Sequence, residues 1–301
     1  MLVRRANIDL QTGCSGKGIT AVRDLNDKEY EDYRKASDCL FDFSRDQQLY
    51  TIVLLNYDDF LGMLKKYSQE YAENPSAMNW ILMERMVLDI NRHLLNLLSS
   101  IRTFLDHTQT KLTKTYGDQS DRFKRFEEAC SRFYDAHFSY GFLTKLRNYS
   151  QHCGMPLGRL TLHSEENPPY SGHVYHSLEV KFSRDELLKY DSWGTRIAKE
   201  IAQLPSEFDI VPHVVEVMKC IKGISLTLIE EDLPNLFKSA EFVEELISPA
   251  QGKEGIPCIL RFLEINRGAN AEIKEMKIEI KNIPLHIVEI VMNIKRQKVS
   301  T

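Results

Sequence analysis

The spacing of apolar residues predicts two long helices in the middle of the chain. Between Asn74-Pro75-Ser76 and Gly117, apolar residues recur every three or four positions without an internal proline or glycine, which is typical of an amphipathic helix. A second helical repeat starts after Ser120, a good N-cap residue, and ends at Gly154. Gly141 lies inside this second segment and indicates a kink or a split. Because each segment has one apolar face, we expect the two helices to pack as an antiparallel hairpin.

Shorter elements are predicted on both sides of this hairpin. Residues 27–43 show helical spacing, whereas 49–55 fit either a strand or a buried helix. Residues 160–163 and 174–182 resemble short strands, and Ser183-Arg184-Asp185-Glu186 resembles a capping box that opens a helix. Further along the chain the pattern predicts helices at 209–222, 234–247 and 284–295 and a strand hairpin at 258–265 and 276–281.

The pattern as a whole predicts a mainly α protein. We expect a helical bundle built on two long antiparallel helices, with a small β appendage in the C-terminal half. The expected segments are an N-terminal helical or mixed segment (1–75), a helical core (76–157) and a C-terminal α+β extension packed on the bundle (158–301). The first twenty-odd residues have weak periodicity, and Gly13-Cys14-Ser15-Gly16-Lys17-Gly18 lacks the spacing of a phosphate-binding loop. We therefore expect a floppy leader there.

Composition narrows the class of protein. A chain with 43% apolar and 27% charged residues is neither disordered nor fibrous. No apolar run approaches the roughly 18 residues of a membrane helix, and the charged start Met1-Leu2-Val3-Arg4-Arg5 precedes no apolar stretch. We therefore expect a cytoplasmic protein without a membrane partner. The six cysteines are scattered singly, without the close pairs of a zinc or redox motif.

Charge is distributed unevenly along the chain. The formal net charge is −4, which argues against general binding of polyanions. From Arg102 to Arg159, however, ten Lys and Arg residues face six Asp and Glu residues, a local net charge of +4. An anionic partner should therefore approach this central segment.

The central segment also contains the strongest candidate for chemistry, an Arg and a His five residues apart. Three such pairs occur in the chain: Arg102 with His107, Arg132 with His137, and Arg147 with His152. Thr103 follows Arg102 and Phe133 follows Arg132, whereas Arg147 is followed directly by Asn148, a polar residue of the kind (Asn, Asp or His) that the motif requires. An imidazole has a pKa near neutrality and can move protons, whereas a planar guanidinium can hold two phosphate oxygens at once.

The segment Arg147-Asn148-Tyr149-Ser150-Gln151-His152 resembles the signature of the HEPN ribonuclease family. The resemblance covers about residues 76 to 157 and implies a helical bundle whose dimers form a composite cleft. It implies metal-independent cleavage of tRNA or mRNA to 2′,3′-cyclic phosphate and 5′-hydroxyl ends, without a cofactor, by a stress or antiphage effector of the abortive-infection or toxin type. In this interpretation His152 transfers protons, Arg147 stabilises the transition state, and Asn148 orients the phosphate or the imidazole. A regulatory partner protein would restrain the activity.

Other residues are candidates for RNA contacts or for support of the pair. They are Tyr149, which could also serve packing, Lys145, Arg102 and His107. Arg102 also fits an ordinary surface ion pair with Asp106, four residues later. His163, His173 and His176 do not predict a metal site, because His173 and His176 have opposite strand parity.

Alternatives to the catalytic interpretation remain open. Arg147 and His152 lie about 140° apart around a helix, so their side chains do not converge naturally, which favours a site shared between two copies of the chain. Arg147 could instead be a solvated helix residue, with His152 stabilising the helix C-terminus through the dipole. The chain would then be a non-catalytic helical dimerisation module or a module that binds a partner or nucleotide.

Overall fold

A computed structural model describes residues 8–14, 18–77, 79–154, 157–166, 174–267 and 273–299. The described chain is mainly helical, with antiparallel strands that include the predicted ones of the C-terminal half, which confirms the predicted fold class. The helices are α1 (Asp27–Glu73), α2 (Trp80–Tyr116), α3 (Asp121–Ala136), α4 (Phe138–His152), α5 (Arg184–Leu187), α6 (Thr195–Ala202), α7 (Val211–Ile229), α8 (Leu233–Ile247) and α9 (Leu285–Val299). The strands are β1 (Ile8–Cys14), β2 (Gly18–Leu25), β3 (Leu157–Glu166), β4 (Val174–Ser183), β5 (Glu207–Asp209), β6 (Ile256–Arg267) and β7 (Ile273–Asn282). Short 3-10 turns occupy Pro75–Ala77, Asp191–Trp193 and Ser248–Ala250.

The chain divides into two compact units. Unit 1 contains Met1–Gln47 and Glu231–Thr301, and unit 2 contains Gln48–Glu230. Unit 1 is assembled from both ends of the chain because β1 pairs with β6. Unit 2 contains the predicted helical core.

Unit 1 is built around a four-stranded antiparallel sheet with the order β2-β1-β6-β7. The expected floppy leader is wrong, because Ile8–Cys14 and Gly18–Leu25 form the β1–β2 hairpin. Residues 15–17 of the glycine-rich segment, like residues 1–7, lie outside the described chain. The pairing of β1 with β6 supplies hydrogen-bond partners from the far end of the chain, which local periodicity does not reveal. The C-terminal hairpin β6–β7 and the final helix α9 confirm their predictions.

Helices α2 and α3 begin close to the predicted positions, whereas α7 continues to Ile229, beyond the predicted end at residue 222. Asn79 caps α2 by accepting a hydrogen bond from the backbone N–H of Leu82, at 3.0 Å, and Ser120 caps α3 through Phe123. The ambiguous residues 49–55 are helical, within α1. The apolar face of α2 is buried along its length at Met86, Ile90, Leu94, Leu97, Leu98, Ile101, Phe104, Leu105 and Leu112.

The predicted second long helix is two helices. The chain leaves helical geometry at His137 (φ −127°, ψ 112°), which ends α3 and precedes α4. Gly141 lies inside α4 and serves a different purpose from the predicted split. A Cβ atom at Gly141 would lie 2.7 Å from Cδ1 of Ile197 and 3.2 Å from Cε2 of Tyr134. Gly141 therefore permits a close approach of its neighbours rather than a break in the helix.

A second antiparallel sheet, β3-β4-β5, packs beside these helices in unit 2. Strands β3 and β4 confirm the predicted pair, and Ser183 accepts a hydrogen bond from the N–H of Glu186 at the start of α5, as the capping pattern predicts. Within the described residues, no helix is both long and apolar enough to cross a membrane.

Candidate functional site

The predicted site lies on the last turns of α4, which is fixed by the core of unit 2. Phe142 and Leu146 are fully buried on one face of the helix, and Tyr149 is 8% exposed. The ring of Tyr149 stacks on Trp193 with centroids 5.7 Å apart and meets Tyr190 edge-on. Tyr149 therefore packs in the core, which is one of its two expected roles, and it presents no free ring face for a base.

Arg147 is half-buried, and one nitrogen of its guanidinium has no hydrogen-bond acceptor within the described part of the chain. The Nε atom of Arg147 is buried and has no hydrogen-bond acceptor among the described residues. No carboxylate of the described chain forms an ion pair with Arg147. A buried N–H group without an acceptor costs free energy, and an anionic oxygen would satisfy it.

Asn148 and His152 are exposed on the same helix. His152 is the last residue of α4, and the next residue, Cys153, donates its backbone N–H to the carbonyl of Tyr149 at 2.8 Å. This position allows His152 to reach a bound molecule from solvent. It is also the position at which an imidazolium stabilises the helix C-terminus.

Two of the supporting candidates have other partners. Lys145 donates from Nζ to the backbone carbonyl of Trp193, so its ammonium holds the turn before α6. Arg102 forms an i,i+4 ion pair with Asp106, with Nε and Oδ2 2.8 Å apart and both side chains about half exposed. His107 is exposed. Among the described residues, none of these three side chains is hydrogen-bonded to Arg147, Asn148 or His152.

The structure assembles a polar network that the sequence does not reveal, at the N-terminus of α4. Ser139 is fully buried and donates its hydroxyl to Oε2 of Glu216, on α7. Nδ1 of His137 lies 2.8 Å from Oε1 of the same carboxylate, and Nδ1 of His213 lies 2.7 Å from Oγ of Ser139. His137 and Ser139 stand more than seventy positions before His213 and Glu216 in the sequence. No local pattern therefore connects the two pairs.

The network contains groups with perturbed acidity. The hydrogen bond from Ser139 is the main cause that lowers the pKa of Glu216, and the contact with His137 lowers it further. Desolvation by burial acts in the opposite direction but does not outweigh them. Burial lowers the pKa of His213, whose ring is surrounded edge-on by Phe138, Phe142 and Phe208. The fold therefore favours an ionised Glu216 and a neutral His213 that donates from Nδ1.

This arrangement is not a nucleophilic triad. In a triad the imidazole lies between the serine and the carboxylate and takes the serine proton. Here the Ser139 hydroxyl lies between His213 and Glu216, donates its hydrogen bond to the carboxylate, and is closed to solvent. The network ties the start of α4 to α7, and it places a carboxylate where the α4 dipole favours negative charge.

The described histidines on the second sheet have other neighbours. His163 lies 2.8 Å from Glu179, and His176 contacts Ser164 at 2.9 Å, whereas His173 lies outside the described residues. Across the described chain, no three His, Cys, Asp or Glu side chains are grouped as metal ligands.

Comparison of this chain with protein-family models, with characterised proteins and with solved structures finds no match.

Proposed function

We propose that this protein is a metal-independent endoribonuclease of HEPN type that cleaves tRNA or mRNA to 2′,3′-cyclic phosphate and 5′-hydroxyl ends. The observation that carries the proposal is the buried, unpartnered Nε of Arg147 beside the exposed Asn148, on a helix that ends with the exposed His152. An RNA phosphate supplies the acceptor that Arg147 lacks.

Each residue has a role that its environment permits. The guanidinium of Arg147 hydrogen-bonds the oxygens that gain negative charge in the pentacoordinate transition state. His152 takes the 2′-hydroxyl proton or protonates the leaving 5′-oxygen, and its exposure leaves the imidazole free to do so. Asn148 orients the phosphate or the imidazole. Because Tyr149 and Lys145 are held by Trp193 and its carbonyl, they support α4 and do not contact RNA.

A homodimer completes the proposed site. Arg147 and His152 are five residues apart, about 140° around α4, so one phosphate is reached more readily by Arg147 of one copy and His152 of another. Light scattering at micromolar concentration should give twice the 35.0 kDa of the single chain. A monomer at this concentration would remove the shared site from the proposal.

The proposal is tested by cleavage of total RNA in excess EDTA, with analysis of the new ends. Wild-type protein should cleave, because no metal enters the mechanism. His152→Ala should lose at least about 100-fold in rate. Arg147→Lys should be nearly as slow as Arg147→Ala, because an ammonium cannot present two parallel donors.

Arg132→Ala is the matched control, because Arg132 has the same spacing to a histidine but is followed by Phe133 and lies on α3. It should retain activity. As a stress or antiphage effector, the wild-type protein should also be toxic when overexpressed in bacteria, and the three active-site variants should be harmless. EDTA-sensitive cleavage that leaves a 3′-hydroxyl contradicts the mechanism. If neither cleavage nor toxicity is found, the chain is better described as a non-catalytic helical binding module.

A further inference from the structure

A cleft of about 310 Å³ lies in unit 1, between the start of α1 and the β6–β7 hairpin. On the helix side it is lined by Asp27, Tyr30, Glu31 and Arg34, which occupy one face of the first two turns. A helix packed on a sheet normally covers apolar residues. Here the lining is charged apart from the phenol of Tyr30.

The sheet side contributes Arg261, Glu279 and Lys281. Arg261 and Glu279 are directly opposite each other across the β6–β7 pair, and Lys281 follows Glu279 on the same face of β7. Both cations lie over the ring of Tyr30, at 5.5 Å for the guanidinium of Arg261 and 5.6 Å for the ammonium of Lys281. Tyr30 is 7% exposed and forms the floor of the cleft.

The cations on the sheet are incompletely neutralised. Glu279 lies 4.0 Å from Nη1 of Arg261 and 3.7 Å from Nζ of Lys281, so one carboxylate is shared loosely between two cations. Nε of Arg261 is buried and has no acceptor among the described residues. The hydrogen bond with Tyr30 raises the pKa of Lys281, which keeps the ammonium charged at neutral pH. Asp38, which does not line the cleft, also acts on Lys281. Among the lining residues of the sheet side, one positive charge is left over.

The helix side shows the opposite imbalance. Arg34 is paired with Glu31, with Nη2 and Oε2 3.0 Å apart. Asp27 forms no ion pair with any described residue, so one negative charge is left over near the start of α1. A ligand with a single charge is attracted by one end of the cleft and repelled by the other. A ligand with both signs is attracted at both ends.

We propose that this cleft binds a small zwitterion of amino-acid size, with its carboxylate against Arg261 and Lys281 and its ammonium against Asp27. The carboxylate gives the buried Nε of Arg261 its missing acceptor. The site belongs to unit 1 and is independent of the proposed ribonuclease residues, which lie in unit 2.

The test is isothermal titration calorimetry of the full chain with each of the twenty amino acids. The tightest binder is then compared with its N-acetyl derivative, which lacks the ammonium, and with its amide, which lacks the carboxylate. Each derivative should bind at least about tenfold more weakly than the parent, because each loses one charge-assisted interaction. Inorganic phosphate serves as the probe for a plain anion site.

Three variants assign the contacts. Arg261→Gln should weaken binding of the parent amino acid at least about tenfold, but should leave binding of the amide unchanged. Asp27→Asn should weaken binding of the parent to the level of the N-acetyl derivative and leave binding of the N-acetyl derivative unchanged, a result that misfolding does not produce. Arg45→Gln is the matched control in unit 1, because Arg45 is exposed and paired with Asp42 outside the cleft, and it should bind like the wild type.

Several outcomes overturn the proposal. The first is that no amino acid binds at concentrations up to about 10 mM, which corresponds to a binding free energy below roughly 3 kcal/mol. The second is equal affinity for the parent amino acid and both derivatives. The third is equal affinity of Arg261→Gln and Arg45→Gln for the parent. Binding of phosphate alone, lost in Arg261→Gln, would identify a simple anion site instead.

Discussion

Two glycines of unit 2 should respond in opposite directions to the same substitution by alanine. Gly62 is exposed on α1, and a Cβ atom there meets nothing within 4 Å. Gly223 lies on α7, where a Cβ atom would be 2.4 Å from Cζ and 2.9 Å from Cε2 of Phe133. Alanine is favoured over glycine by about 1 kcal/mol inside a helix, so both variants gain this amount and only Gly223→Ala also meets a clash.

The size of the clash follows from the surroundings of Phe133. Its ring is packed 5.8 Å from the ring of His137 and 5.4 Å from the guanidinium of Arg132, which restricts how it can move. Overpacking of this kind costs about 1 to 3 kcal/mol. We therefore expect Gly62→Ala to raise the free energy of unfolding by about 1 kcal/mol and Gly223→Ala to lower it by about 1 kcal/mol after the helical gain is subtracted.

Tryptophan fluorescence during urea unfolding measures this difference in the relevant unit, because Trp80 and Trp193 both belong to unit 2. In a thermal scan each kcal/mol should shift the midpoint by about 2 to 4 °C. Phe133→Leu shortens the opposing side chain, so in that background Gly223→Ala should lose most of its penalty. If Gly223→Ala is as stable as Gly62→Ala, or if Phe133→Leu does not change its effect, the close approach of α7 to Phe133 is incorrect.

Three further predictions concern the same unit. Lowering the pH should destabilise unit 2, first below 6.5, the ordinary pKa of His213, and then below 4.5, the ordinary pKa of Glu216. The folded state lowers both pKa values, so it binds these protons less readily than the unfolded chain does. In urea titrations the advantage of the wild type over Glu216→Gln should shrink below pH 4.5. Phe142→Ala should cost about 3 to 5 kcal/mol, whereas Leu55→Ala, at a 59% exposed position, should stay within about 0.5 kcal/mol. Arg147→Ala should cost under about 1 kcal/mol and keep the circular dichroism spectrum, since its guanidinium has no ion pair to lose.

The elements that could be predicted from the sequence are those specified by nearby residues. A continuous apolar repeat between Asn74-Pro75-Ser76 and Gly117 predicts α2, and the structure places its caps at Asn79 and Gly117. The β6–β7 hairpin follows from two apolar segments joined by a short turn. In these cases the partner of each backbone group lies within the same segment or in the next one.

The features that could not be predicted depend on residues far away in the chain. Strand β1 has weak alternation of its own, and its pairing with β6 becomes visible only when both strands are placed. The break between α3 and α4 occurs at His137, although Gly141 is the weaker helix former. His137 and Ser139 contact Glu216 on α7. This distant carboxylate stabilises a helix start that local propensity does not favour.

The candidate site rests on a short pattern in the sequence. The spacing, the Asn148 that follows Arg147 and the family resemblance together selected Arg147 and His152, and they left Lys145 and Tyr149 as either RNA contacts or supporting residues. Their neighbours in space, the carbonyl and the ring of Trp193, stand more than forty positions away along the chain. The role of a charged or aromatic residue beside a motif therefore depends on contacts with distant residues, which the local sequence does not show.

The pairing of β1 with β6 also determines an order of events during synthesis on the ribosome. Unit 2 is a continuous stretch, Gln48–Glu230, and can fold as soon as it has left the exit tunnel. The β1–β2 hairpin emerges before β6. The edge of β1 that faces away from β2 is therefore covered only after Arg261, the partner of Ile8, has been synthesised. Until then the nascent chain presents an unpaired strand edge that invites association with other chains. Slow translation of the segment that encodes β6, or loss of β6, should therefore cause aggregation through β1 even when unit 2 is correctly folded.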